Sequence, residues 1–141
     1  YSVPTGGMAI NRAISTDFGL TPVQAEEYKK VYGVSKEVFG GKIGKATEPI
    51  LNSILSEVKK AFVFYSDKYK DDKPIRQVLL TGGTAKLPGI DLFFTNNTGI
   101  ETATANPWKI ILNQEELPQP ILSNGPDYTI AIGLAMRDNE N

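Results

Sequence analysis

The apolar positions along this chain recur first at helical spacing, then in short continuous runs, then at helical spacing again. From Met8, apolar residues return at Ile10, Ala13, Ile14 and Phe18, the period of an amphipathic helix, and Gly19 supplies the stop. Thr21-Pro22-Val23-Gln24 is a capping box with proline at the first helical position. It starts a second helix carrying Val23, Ala25, Tyr28 and Val31 and ending at Gly33. Positions 34–45, with Gly40, Gly41 and Gly44, predict a loop that opens on a helical turn. A long helix follows from about Thr47 to Tyr69. Ile50, Leu51, Ile54, Leu55, Val58, Ala61, Phe62 and Tyr65 trace one face, read as core, while Glu57, Lys59 and Lys60 take the other side. Pro49 fits that helix as a first-turn residue, and Asp67 to Lys73 reads as solvated surface.

The stretch Arg76 to Ile90, RQVLLTGGTAKLPGI, changes the pattern. Val78, Leu79 and Leu80 are continuously apolar, as in a strand covered on both faces. Gly82-Gly83 breaks the run, and a helix from about Pro88 to Asn97 carries Ile90, Leu92, Phe93 and Phe94. A second short strand is predicted near Ile100 to Thr104, then a compact turn, Ala105 to Trp108, with the tryptophan as core anchor. Positions 113–127 hold Pro118, Pro120, Gly125 and Pro126 and read as an irregular connection. Tyr128 to Arg137 closes the chain as a helix whose Ala131, Gly133 and Ala135 suit close packing on a sheet. With Tyr1 to Pro4 read as the end of a strand, the count is three strands and five helices, an α/β protein with an open sheet edge. Further strands before Tyr1, or a partner chain forming a dimer, would complete it.

The chain has 141 residues, 40% hydrophobic and 22% charged, with a formal net charge of -1. Near-balanced charge argues against a nucleic-acid partner. Without cysteine there is no disulfide, thiol nucleophile or zinc-thiolate site; without histidine the usual general base is missing. This suits binding, or chemistry on a ligand-borne metal, better than triad hydrolysis. No apolar run approaches the roughly 20 residues of a membrane span. A start at Tyr1 reads as the middle of a longer protein.

Candidate chemistry begins with strand, glycine pair and helix, a unit that places ligands at the carboxyl end of a sheet strand. Two glycines let bare backbone approach a ligand; a plain tight turn uses them as well. Glu26 and Lys29, three apart, share one helical face, as any surface ion pair can.

Several ordered stretches together resemble the actin-like ATPases, and within them the PilM proteins of type IV pilus assembly. Pro4-Thr5-Gly6-Gly7 with Ala13-Ile14 is similar to the family's glycine pair and following helix. Ala25-Glu26-Glu27-Tyr28-Lys29 with Gly33 resembles its Ala-Glu-x-x-Lys helix, and Phe64-Tyr65 the aromatic end of its long helix. Leu79 to Gly89, LLTGGTAKLPG, resembles its adenosine motif. Asn106-Pro107-Trp108 and Tyr128 to Arg137, YTIAIGLAMR, resemble its Asn-Pro-Phe turn and closing helix. Two positions depart: Met8 replaces an acidic residue and Thr84 a third glycine.

The resemblance implies an actin-like (ribonuclease H-like) fold, a partial sheet with helices packed on it plus a helical subdomain. Residues 1–141 would be one carboxyl-terminal lobe, with the helical subdomain at about 6–45 and the sheet-helix core at about 46–141. It implies ATP with Mg in the full-length protein, and a PilN-like inner-membrane partner reached through another lobe. The location implied is cytoplasmic, peripheral to the inner membrane. Gly82, Gly83, Thr84 and Lys86 would line the adenosine, with Lys86 laid on the base or simply solvated. Glu26 and Lys29 would reach ribose and adenine, and Gly7 a phosphate. No catalytic residue is expected in this stretch. Two alternatives stand beside this one. The first is a non-catalytic interaction module that docks a partner on a sheet edge or apolar helix face. The second is an FtsA-like division protein, although the ending Arg137 to Asn141 lacks the basic amphipathic helix usual there.

Overall fold

The computed structural model describes residues 2–35, 38–70, 73–110 and 116–137. Helix α1 (Gly7–Phe18) ends at Gly19, and α2 (Pro22–Tyr32) begins at the expected capping box. Both halves of that box are made: the Thr21 hydroxyl accepts from the Gln24 N–H, and Gln24 Oε1 accepts from the Thr21 N–H at 3.0 Å. Two orphan donors at the helix start are satisfied this way, which fixes where α2 begins.

The loop expected over 34–45 is shorter than the glycines suggest. Phe39–Gly41 is a 3-10 turn that runs straight into α3 (Lys42–Lys68). Pro49 is therefore not in the first turn but well inside the helix. Having no N–H, it cannot supply the donor that the Lys45 carbonyl would ordinarily receive four residues on. Gly44 does not break the helix because it packs on the backbone of Val34: a Cβ there would lie 3.1 Å from the Val34 carbonyl oxygen.

Strand β1 (Gln77–Leu80) lies parallel to β2 (Glu101–Thr104), with Gln77 opposite Glu101 and Leu80 opposite Thr104. Helix α4 (Ile90–Thr98) makes the crossover a parallel pair requires. Two strand expectations are corrected. Residues 2–4 form no strand, because a strand needs a neighbour for its backbone groups and β1 pairs only with β2 among the described residues. Nor is β1 covered on both faces: Leu80 packs on the core, whereas Leu79 points the other way and is 60% exposed.

The core joins α1, α2, α3 and α4 through Ile10, Ile14, Ala25, Ile43, Leu51, Leu55, Leu87, Ile90 and Phe94, all buried. The division expected near residue 45 thus falls inside α3 and within one continuous apolar cluster. The cluster extends along α3 no further than Val58. Beyond it the expected aromatic core stripe opens out: Phe62 and Tyr65 are half-buried and Phe64 is exposed, since α3 outruns the elements that could cover it.

Past β2, Pro107–Ile110 forms a 3-10 turn that seats Trp108 as the expected anchor, buried, with its Nε1–H donating to the Leu122 carbonyl at 3.1 Å. The expected irregular connection contains α5 (Gln119–Leu122), and α6 (Gly125–Met136) starts within it; residues 111–115 lie outside the described residues. Proline at the first helical turn of each explains both starts. Helix α6 is held at its first turn, where Gly125 packs on the Trp108 ring and Pro126 accepts from the Gly82 N–H at 2.9 Å. Its later turns leave the core, so Ala131, Gly133 and Ala135 are exposed instead of lying against the sheet.

Candidate functional site

The carboxyl end of β1 leads into Gly82, whose φ of 83° and ψ of 174° belong to a region open essentially to glycine alone. A 3-10 turn, Gly83–Lys86, follows. Its inner side is pinned by buried Ala85 and Leu87, and the Thr104 hydroxyl donates to the Ala85 carbonyl at 3.1 Å. With that side fixed, the glycine pair forms the outer rim, Gly82 half-buried and Gly83 exposed.

Opposite this rim stand the first turn of α1 and the inner face of α2. A Cβ on Gly7 would lie 3.0 Å from Thr84 Oγ1 and 3.7 Å from Lys29 Nζ. Three expected site residues from three elements therefore meet at one point, where a side chain in place of Gly7 would crowd the Thr84 hydroxyl. Val34, just past α2, donates its N–H to the Pro88 carbonyl at 2.8 Å, and Gly33 packs against the same proline. These contacts hold α2 to the loop that follows the glycine turn.

Glu26 and Lys29 are more than a surface pair. Lys29 is buried, and its ammonium donates to Glu26 Oε2 at 2.5 Å. Asn11 Nδ2 donates to the same oxygen at 2.6 Å, while Lys30 Nζ lies 3.5 Å from Oε1. The Lys29 hydrogen bond, working against partial burial and helped by Asn11 and the nearby ammonium charges, lowers the Glu26 carboxyl to about 2. The carboxylate is thus ionised and held, with its side chain still 35% exposed.

Lys86 does not extend freely over the rim. Its ammonium donates to Asp127 Oδ2 at 2.5 Å and to Asn124 Oδ1 at 2.6 Å, tying the turn to the start of α6. Asp127 also leans over the rim, its Oδ1 3.4 Å from a Cβ built on Gly83.

Sequence reasoning missed Asn11, Asn124 and Asp127. Asn11 is four residues on from Gly7 and so on its helical face, a spacing that was available. Asn124 and Asp127 sit where an irregular connection was expected, and the pair with Lys86 spans a separation of 41 residues that no local pattern reveals.

A hollow of about 830 Å³ lies elsewhere, along α3 and the end of α4 between Leu55, Lys59, Val63, Phe64 and Asn97. None of the expected site residues lines it. Among the described residues no group of three or more acidic side chains is placed to hold a metal ion, and no helix is long and apolar enough to cross a membrane.

The chain matches a family described as type IV pilus assembly protein PilM over residues 3–139. Among solved structures it is similar to a chain of a PilM-PilN type IV pilus biogenesis complex, with 27% sequence identity and a TM-score of 0.72. That match covers 96% of this chain and 38% of the solved one, so the chain spans well under half the length of its relative.

Proposed function

The chain belongs to the type IV pilus assembly protein PilM family, and on that premise we propose that it supplies the adenosine side of a nucleotide cleft in an actin-like ATPase. ATP binding by the whole protein is coupled to assembly of the pilus platform at the inner membrane, on its cytoplasmic face. The partner is a PilN-like membrane protein, a reading supported by the similarity to a chain of the PilM-PilN complex.

One observation carries the nucleotide reading: Gly7, Lys29 and Thr84 converge from three elements beside the bare Gly82-Gly83 rim. The roles follow from chemistry. The rim lays backbone against a purine nucleoside, with no Cβ to hold it off. Glu26, ionised and aimed, accepts from ribose hydroxyls. Lys29 donates to a hydroxyl or to the base, and the Thr84 hydroxyl adds a donor and acceptor beside it. Gly7 opens the first turn of α1, where unpaired N–H groups favour a phosphate oxygen. Lys86 reaches the base only by leaving Asp127 and Asn124. Bound ATP with its magnesium ion supplies the phosphoryl chemistry; this stretch recognises the nucleoside, and no hydrolytic step is assigned to it.

The test is calorimetric titration of full-length protein with ATP, unaltered and with Glu26→Gln and Lys29→Met combined. A loss of about tenfold or more in affinity is expected. Equal affinities would remove both residues from the site.

A second reading, a protein-docking module, is favoured by the exposed apolar residues of α6, Ile130 at 72% and Leu134 at 57% exposure, together with Leu79 on the open sheet face. Weak ATP binding with concentration-dependent dimerisation would select it over the first.

A further inference from the structure

Asn11 sits where α1 crosses α2, and its amide does two unequal things. Nδ2 donates to Glu26 Oε2 at 2.6 Å. Oδ1 is buried with no hydrogen-bond partner among the described residues. A buried amide oxygen without a partner is destabilising, and native cores rarely keep one unless the group serves another purpose. Helix packing alone needs no amide here; an alanine or serine would fill part of the gap without orphaning an oxygen. Turning the amide over would set Oδ1 against the Glu26 carboxylate, so the orphan is the consequence of aiming the donor at Glu26.

The two oxygens of Glu26 are treated differently as a result. Oε2 receives both Asn11 and the buried Lys29. Oε1 has Lys30 at 3.5 Å, a distance that leaves room for a better donor. Lys30 is mostly solvent-exposed, so this ammonium does not fill the position.

We propose that Asn11 is a positioning residue of the nucleoside site, fixing Glu26 Oε2 from behind so that Oε1 is presented to a ribose hydroxyl. The role rests on the reading of Glu26 as a ribose acceptor. It makes the site selective for ribonucleotides over their deoxy counterparts, because a held carboxylate rewards a hydroxyl that a swinging one could replace with water. Asn11 touches Glu26 and not the ligand, so its loss changes selectivity rather than abolishing binding.

The experiment compares ATP, 2′-deoxy-ATP and 3′-deoxy-ATP by calorimetry on the full-length protein, unaltered and as Asn11→Ala and Asn11→Leu. Asn11→Leu comes close to the packing volume and carries neither donor nor charge, so it stays informative if the alanine variant folds poorly. The Glu26 carboxyl is followed in the same proteins by NMR titration, a readout that simple loosening of α1 against α2 would not shift selectively. Unaltered protein is expected to prefer ATP by about tenfold over at least one deoxy analogue, roughly one net hydrogen bond. Both variants should bring that ratio close to unity and raise the Glu26 midpoint. If unaltered protein does not bind ATP, the nucleoside reading falls and the role of Asn11 with it; if it binds all three equally, ATP is bound without its ribose hydroxyls being read, and the ribose role of Glu26 falls together with that of Asn11. If the preference is present and both variants retain it, or if the Glu26 midpoint does not move, only the positioning role is overturned.

Discussion

The Lys29 ammonium donates to Glu26 Oε2 across 2.5 Å from a residue only 7% exposed, one turn along the same face of α2. A buried cation so placed depends on its carboxylate, since an unpaired charge there would be costly. The pair therefore acts on stability as well as on any ligand.

Acid is the direct probe of that pair. Glu26 has its carboxyl lowered from 4.5 to about 2, with the Lys29 hydrogen bond as the largest cause. The unfolded chain takes up the proton first as pH falls, so the stabilisation is complete above the unfolded value and is lost between it and the folded one. Urea denaturation between about pH 6 and pH 2 should show the unaltered protein losing more stability than Glu26→Gln, by about 1 kcal/mol after discounting for solvent contact. Parallel pH profiles would contradict this.

Gly33→Ala should be among the most damaging single changes. The backbone φ is +52°, and a Cβ would lie 2.3 Å from the Pro88 carbonyl oxygen and 2.6 Å from the ring nitrogen. Neither backbone nor proline ring can move aside as a flexible side chain would. The denaturation midpoint is expected to fall by the equivalent of about 2 kcal/mol or more, with an unchanged slope.

Trp108→Phe keeps most of the ring but removes the Nε1–H that the Leu122 carbonyl accepts. A loss of about 1–3 kcal/mol is expected in chemical denaturation, reflecting an unsatisfied carbonyl in a partly buried place. An alteration confined to fluorescence, with no change in midpoint, would show that water replaces the bond.

Leu79→Thr and Ile14→Ala form a contrasting pair. Leu79 is 60% exposed and should be replaceable within about 0.5 kcal/mol, whereas Ile14 is fully buried and its truncation should cost about 2–5 kcal/mol. Similar losses from both would mean that the outer face of β1 is covered in solution.

The helical half of the fold was legible because its signals are local. The Thr21 capping box, the Gly19 stop and the apolar positions of α1 and α2 each act within a turn or two, and the structure follows them closely. Misreadings arose where distant packing decides. Gly44 reads as a breaker until Val34 is seen against it, and Pro49 reads as a start only if the helix begins late. Leu79 has the composition of a buried strand residue, yet burial depends on which layers flank the sheet. For the candidate site, the glycine pair and the Glu26–Lys29 spacing were visible in sequence. The Lys86–Asp127 pair and the Asn11 clamp required three-dimensional proximity between elements.

The Val34 to Pro88 hydrogen bond and the Gly33 packing beside it rivet the end of α2 to the loop behind the glycine rim. The arm bearing Glu26 and Lys29 and the arm bearing Gly82 to Thr84 are thereby joined at a point remote from the rim itself. Changing their spacing would mean breaking that hydrogen bond or lifting Pro88 off Gly33, so a shift of one arm is expected to carry the other with it. Both arms also rest on the apolar cluster shared with α3, the longest helix among the described residues, which would be the next element to feel such a shift.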